Sequence, residues 1–147
     1  MMNSITLNAF AIFILFTSCK TSQITTNIDT ASKTVSMENS KWKLVTLMGA
    51  DVSDTNAYIS FSNETENTLF GNGSCNNFTG TYKLDEGNKI SVSKLTATLM
   101  ACTSMDVEKQ FMAIIEMADN YTLNGNKMIL NKAKMAPLAI FEAVETE

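Results

Sequence analysis

Between Lys41 and Val144 the chain is cut into short apolar runs of period two, separated by turn residues, and that pattern excludes most folds. Alternation places every second side chain on one face of a strand. "WKLVTLMG" brings Trp42 and Leu44 to one face, continues through Leu47 and Met48, and stops at Gly49. "AYISFS" alternates from Tyr58 to Ser62, and "TLFGNG" is a short run ending in glycines. "FTGTYKL" aligns Phe78, Gly80, Tyr82 and Leu84, and "KISVS" pairs Ile90 with Val92. The intervening "DEGN" is a hairpin turn in which Gly87 supplies a positive φ. "NYTL" and "KMILNK" are joined by Asn124-Gly125-Asn126, a strong hairpin signal. "PLAIFEAV" closes the series, with Pro137 at a strand start where a missing N–H does no harm.

One segment departs from this period. "MDVEKQFMAIIEMADN" spaces Val107, Phe111, Ile114, Ile115 and Ala118 as one face of an amphipathic helix, over about residues 105–119. Thr103 or Ser104 is expected to cap its start, Asp106 and Glu108 to complement its dipole, and Asn120 to stop it. The expected fold is therefore mainly β: a small antiparallel barrel-like sheet of seven or eight short strands, with one helix over an open end or edge.

The chain has 147 residues, enough for one domain. Its net charge of −4 argues against nucleic acid as a partner, which requires a concentrated basic face. Two absences narrow the chemistry further. There is no His, and all 11 basic residues are Lys, so there is no Arg. Histidine-assisted nucleophiles and the commonest transition-metal ligand are missing, as is the planar fork that grips carboxylate or phosphate in two bonds. The Met residues lie in or beside apolar segments and read as core filler, so no metal and no other cofactor is expected.

The N-terminus carries a different message. Ala9 to Phe16, "AFAIFILF", is too short to span a bilayer but suits the core of a signal peptide. It leads into "FTSC", which resembles the lipobox of a bacterial lipoprotein, with cleavage before Cys19. That resemblance implies lipid on Cys19 and attachment to a membrane; an ordinary secretory signal is the alternative. Residues 20–39 are rich in Ser and Thr and poor in large apolar groups, as a flexible tether is. The expected organisation is a signal peptide over 1–18, the lipidated Cys19 with its tether over 19–39, and a folded domain over 40–147.

With Cys19 lipidated, Cys75 and Cys102 remain. An even pair in an exported chain reads as one disulfide. Two buried thiols, or a redox thiol activated by a Lys or by the helix N-terminus near Cys102, remain open. Around Cys75, "GNGSCNN" invites two readings. In one, Gly71 and Gly73 supply backbone angles closed to other residues, and Asn76 and Asn77 bond their own turn. In the other, Asn72, Ser74, Asn76 and Asn77 form the polar rim of a binding site.

The run "GNGSCNNFTGTYKLDEGNKISVSKLTATLMAC" resembles the core signature of the META/HslJ family, carried here by Gly73, Cys75, Asn76, Gly80, Tyr82, Thr98, Met100, Ala101 and Cys102. "KWKLVTLMG" is similar to that family's first strand and "LAIFEAV" to its last. The resemblance implies a small β-barrel-like domain of bacterial envelope lipoproteins, linked to heat-shock regulation, antibiotic tolerance, motility, and secretion or virulence. No catalytic site is established for the family, so the resemblance supplies no catalytic residue. It implies Cys75 and Cys102 as a disulfide pair.

Three functions compete. The first is a non-enzymatic envelope module, monomeric and membrane-attached through Cys19, expected to face the periplasm from the outer membrane, that binds an unidentified envelope protein or maintains the envelope under stress. It predicts an exposed apolar surface or strand edge. The second is a small-ligand carrier using the barrel interior or the Asn-rich rim. An interior packed by Phe61, Phe78, Tyr82 and Phe111 counts against it. The third is a hydrolase with paired carboxylates, but the acidic residues sit mainly in turns and on the polar face of the helix.

Overall fold

The computed structural model describes residues 35–64 and 66–144. The signal peptide, Cys19 and the tether up to residue 34 lie outside them. Ten strands and one helix follow in order: β1 Lys41–Leu47, β2 Ala50–Asp51, β3 Tyr58–Ser62, β4 Thr68–Asn72, β5 Asn77–Asp85, β6 Lys89–Val92, β7 Thr96–Ala97, α1 Asp106–Met117, β8 Asn120–Asn124, β9 Lys127–Asn131 and β10 Ala139–Val144. Neighbours pair antiparallel in the order β10-β9-β8-β6-β5-β4-β3-β1, and β10 returns to β1, so eight strands close a barrel. Closure leaves no long exposed edge. β2 extends β1 as a short hairpin, and β7 pairs with β5 off the main path.

The turns act as their residues require. Gly87 (φ 78) and Gly125 (φ 61) sit at the tips of the β5–β6 and β8–β9 hairpins. β1 carries an extra residue, Val45, where its ladder with β10 shifts register between Leu44 and Thr46. Such a bulge bends the strand and increases its twist, which suits barrel closure.

The alternation seen in sequence becomes the interior. Trp42, Leu44, Ile59, Phe61, Leu69, Met128, Leu130 and Phe141 are fully buried. Phe61 meets Tyr82 edge-on at 5.2 Å, and Phe78 meets Phe111 edge-on at 5.7 Å. Phe111 also touches Phe141 at 5.8 Å. A barrel filled this way has no room for a guest, so its interior does not support the carrier reading.

The two ends are covered differently. Helix α1 turns Phe111, Ile114 and Ile115 inward and sits at the end where the β4–β5 turn lies. The other end is crossed by residues 35–40. There the Trp42 indole donates to the Met37 carbonyl at 2.9 Å, Asn39 N–H donates to Phe61 O at 2.7 Å, and Val35 N–H donates to Gly125 O at 3.0 Å. Met37 is buried, and Tyr82 donates its hydroxyl to Glu38 at 2.5 Å. Folded structure thus begins before residue 40, because Met37 and Glu38 offer an apolar side chain and an acceptor that the barrel end uses.

The helix is shorter than expected and its ends differ. Neither Thr103 nor Ser104 caps it; Met105 holds the cap position with no side-chain bond. The segment before it is fixed instead by Cys102 and Met100, through bonds to the β4–β5 turn. The helix ends at Met117, with Ala118 N–H bonded to Ile114 O, and Asn120 opens β8 rather than stopping the helix. Among the described residues no helix is long and apolar enough to cross a membrane.

Candidate functional site

Cys75 and Cys102 are joined in a disulfide, with Cα atoms 6.3 Å apart across a sequence separation of 27. On a chain-entropy account, closing such a loop contributes about 3 to 4 kcal/mol. The bond fixes the irregular segment between β7 and α1 against the β4–β5 turn. Cys75 is buried and Cys102 is exposed.

Asn76 completes the attachment. Its side chain is 1% exposed, and each polar atom is engaged. Oδ1 accepts from Thr98 Oγ1 at 2.8 Å and from Met100 N–H at 2.7 Å. Nδ2 donates to Glu108 Oε1 at 2.9 Å and to Met100 O at 3.3 Å. The Asn76 backbone N–H donates to Glu108 Oε2 at 2.5 Å. Glu108 is only 3% exposed, although it lies in the first turn of a helix. Its carboxylate therefore has two donors from one residue and the helix N-terminus behind it, an arrangement that compensates a buried charge. Among the described residues no cluster of three metal-ligating acids or cysteines forms.

The glycines of this turn serve by what they lack. Neither Gly71 nor Gly73 adopts a left-handed φ, contrary to the sequence expectation. A Cβ on Gly73 would come within 2.6 Å of Glu108 Cγ, and one on Gly71 would run into the Tyr58 carbonyl. The positive φ falls on Ser74 instead (φ 97), whose N–H is held by Asn72 Oδ1 at 2.9 Å. Asn72 Nδ2 also donates to Asn77 Oδ1 at 2.9 Å. Of the four expected rim residues, Asn76 is thus an internal anchor, while Asn72, Ser74 and Asn77 stay at the surface and bond one another.

This framework holds two apolar side chains in solvent. Leu99 is 98% exposed and Met100 is 56% exposed, on a backbone fixed by Asn76, Thr98 and the disulfide. Thr98 N–H adds a bond to Asn77 O at 3.0 Å. A groove of about 330 Å³ opens at the same end, lined by Thr46, Met48, Gly49, Met135, Pro137 and Ile140. Met48 stands at its mouth with a positive φ of 50. Sequence reasoning gave Glu108 a place at the helix dipole but not its burial against Asn76, yet the signal for burial is present. Glu108, Phe111 and Ile115 follow the spacing of three and four that marks a buried helix face.

Comparison with known proteins agrees with this geometry. The sequence model of the META domain matches residues 35–145. A protein from Burkholderia xenovorans solved by NMR is similar in structure, with a TM-score of 0.61 and 19% identity over 75% of this chain and 85% of that one. A second NMR structure has a TM-score of 0.56 and 22% identity, covering 72% and 90% of the two chains. At these identities the likeness is one of fold. No curated protein matches the sequence.

Proposed function

The chain belongs to the META domain family, and from that premise we propose that it is a non-enzymatic envelope module, lipid-anchored through Cys19, that docks a protein partner with its Leu99–Met100 tip. The observation that carries this reading is the tip itself. A nearly fully exposed Leu on a loop secured by a disulfide and a saturated Asn is apolar surface held ready. Preorganised apolar anchors lose little freedom on binding, and they fit a concave apolar pocket on a partner.

Within the described residues, 35–40 cross one barrel end, while the tip and the Met48 groove lie at the helix end. The proposed site of action is the periplasmic face of an outer membrane. The proposed module works as a monomer and calls on no cofactor.

The test is capture from crosslinked envelopes with the intact protein and with a Leu99→Asp, Met100→Asp double variant. The variant should melt at the same temperature and lose most of the captured partner. Equal capture by both would overturn the tip as the docking element. Cys19→Ser, followed by membrane fractionation, tests the anchor separately: the protein should leave the membrane fraction.

A further inference from the structure

The outer face of β1, β3 and β4 carries a second surface that the tip does not explain. Register places Lys41 opposite Ser60, and Ser60 opposite Phe70, in one row across three strands. The adjacent row runs Lys43, Tyr58, Asn72. Phe70 is 46% exposed on the outer face of the sheet. The residues paired directly with it are Ser60 and Thr79, both small hydroxyls.

Two grooves meet on this face. One of about 430 Å³ holds Lys41, Lys43, Asn56 and Tyr58. The other, of about 440 Å³, holds Ser40, Lys41, Ser60, Ser62, Phe70 and one carboxylate, Glu64. Lys41 lies between them, its ammonium 4.0 Å above the Tyr58 ring. Among the described residues neither Lys41 nor Lys43 forms an ion pair, and Glu142, opposite Lys43, is bonded to Lys127 at 3.5 Å. The first groove thus holds two cations and no acid, on a chain of net charge −4, while Glu64 lies in the second.

We propose that this face binds a carboxylate-bearing glycan. A sugar ring offers an apolar face of C–H groups and a rim of hydroxyls. Phe70 matches the face, and Ser40, Ser62 and Asn56, which line the grooves, match the rim. Lys41 and Lys43 match the carboxylate in the first groove, which both line, and Glu64 in the second accepts from a sugar hydroxyl. Diagonal neighbours across a sheet, such as Tyr58 and Phe70, lie about 7 to 8 Å apart, so a site spanning both grooves accepts more than one sugar unit. This surface is independent of the tip, and either stands if the other fails.

The experiment is a titration of the full chain, in detergent and labelled with ¹⁵N, followed by amide NMR. The acidic probe is tetragalacturonate and the neutral control is cellotetraose. Tetragalacturonate should shift the amides of Tyr58, Ser60, Ser62 and Phe70, and added salt should weaken it. Phe70→Ala should weaken binding about tenfold, and Lys41→Ala with Lys43→Ala should remove the preference for the acidic probe. Because these three side chains are exposed, the variants should keep the native spectrum elsewhere. Failure of tetragalacturonate to move these amides would overturn the proposal, and so would cellotetraose binding equally well.

Discussion

Asn76 donates or accepts at every polar atom of its side chain, and one substitution shows how much rests on it. Asn76→Asp would set a second carboxylate where Nδ2 now lies 2.9 Å from Glu108 Oε1. Two like charges so placed cannot both ionise at ordinary cost. The expected loss is about 3 to 5 kcal/mol at neutral pH, measured by urea denaturation. Tyr82 makes stability pH-dependent at the alkaline end. Burial, first, and then the hydrogen bond and charge of Glu38 push its phenol well above the ordinary tyrosine value. Below about pH 10, where tyrosine is protonated in either state, Tyr82 makes stability no more pH-dependent. Above it the unfolded phenol ionises first, so stability falls as pH rises. In Tyr82→Phe that alkaline fall should be shallower, as thermal melts between pH 9 and pH 11 would show.

At the scale of elements, the β4–β5 turn and α1 form one unit although 32 positions separate Asn76 from Glu108. Gly73 permits the approach. Gly73→Ala forces a Cβ to within 2.6 Å of the Glu108 side chain and should cost about 1 to 3 kcal/mol, read from the midpoint of chemical denaturation. Ser74→Gly should act the other way, by about 1 kcal/mol, since it relieves a φ of 97 on a residue with a Cβ. Strand alternation, the Gly87 and Gly125 hairpins and the inward side of α1 are legible in the sequence because side-chain period and turn chemistry are local. The features that sequence pattern hides are non-local. Nothing near Asn76 in the chain says that it faces a helix rather than its own turn. Nor does any local signal say that Thr103 and Ser104 go unused because the segment before α1 is already fixed by Cys102 and Met100. Glu108 is half-legible: its spacing with Phe111 and Ile115 marks a buried position, but carboxylates are usually solvated and its partner lies far away in the chain. The strap at residues 35–40 is hidden because a short polar run shows no period, and its order comes from the barrel end it crosses.

For the whole molecule, a closed barrel with a filled interior leaves its outside as the place for function. The disulfide and the barrel have separate roles. Reducing the bond should lower stability by about 3 to 4 kcal/mol while the barrel persists, because closure rests on the ladder between β10 and β1 and on Trp42, Phe61 and Phe141. Far-UV circular dichroism with and without reductant would show a lower melting temperature and the same folded spectrum. The loop bearing Leu99 and Met100, by contrast, would then be held only by Asn76 and Thr98. Everything proposed for the helix end turns on whether this tip meets a protein partner. A photoreactive side chain placed at Leu99 in living cells, with the same group at exposed Lys134 as control, answers that question. Docking by the tip requires one dominant crosslinked protein from position 99 and none in common from position 134. An identical set of products from both positions, or none from position 99, would mean that the tip is not the docking element.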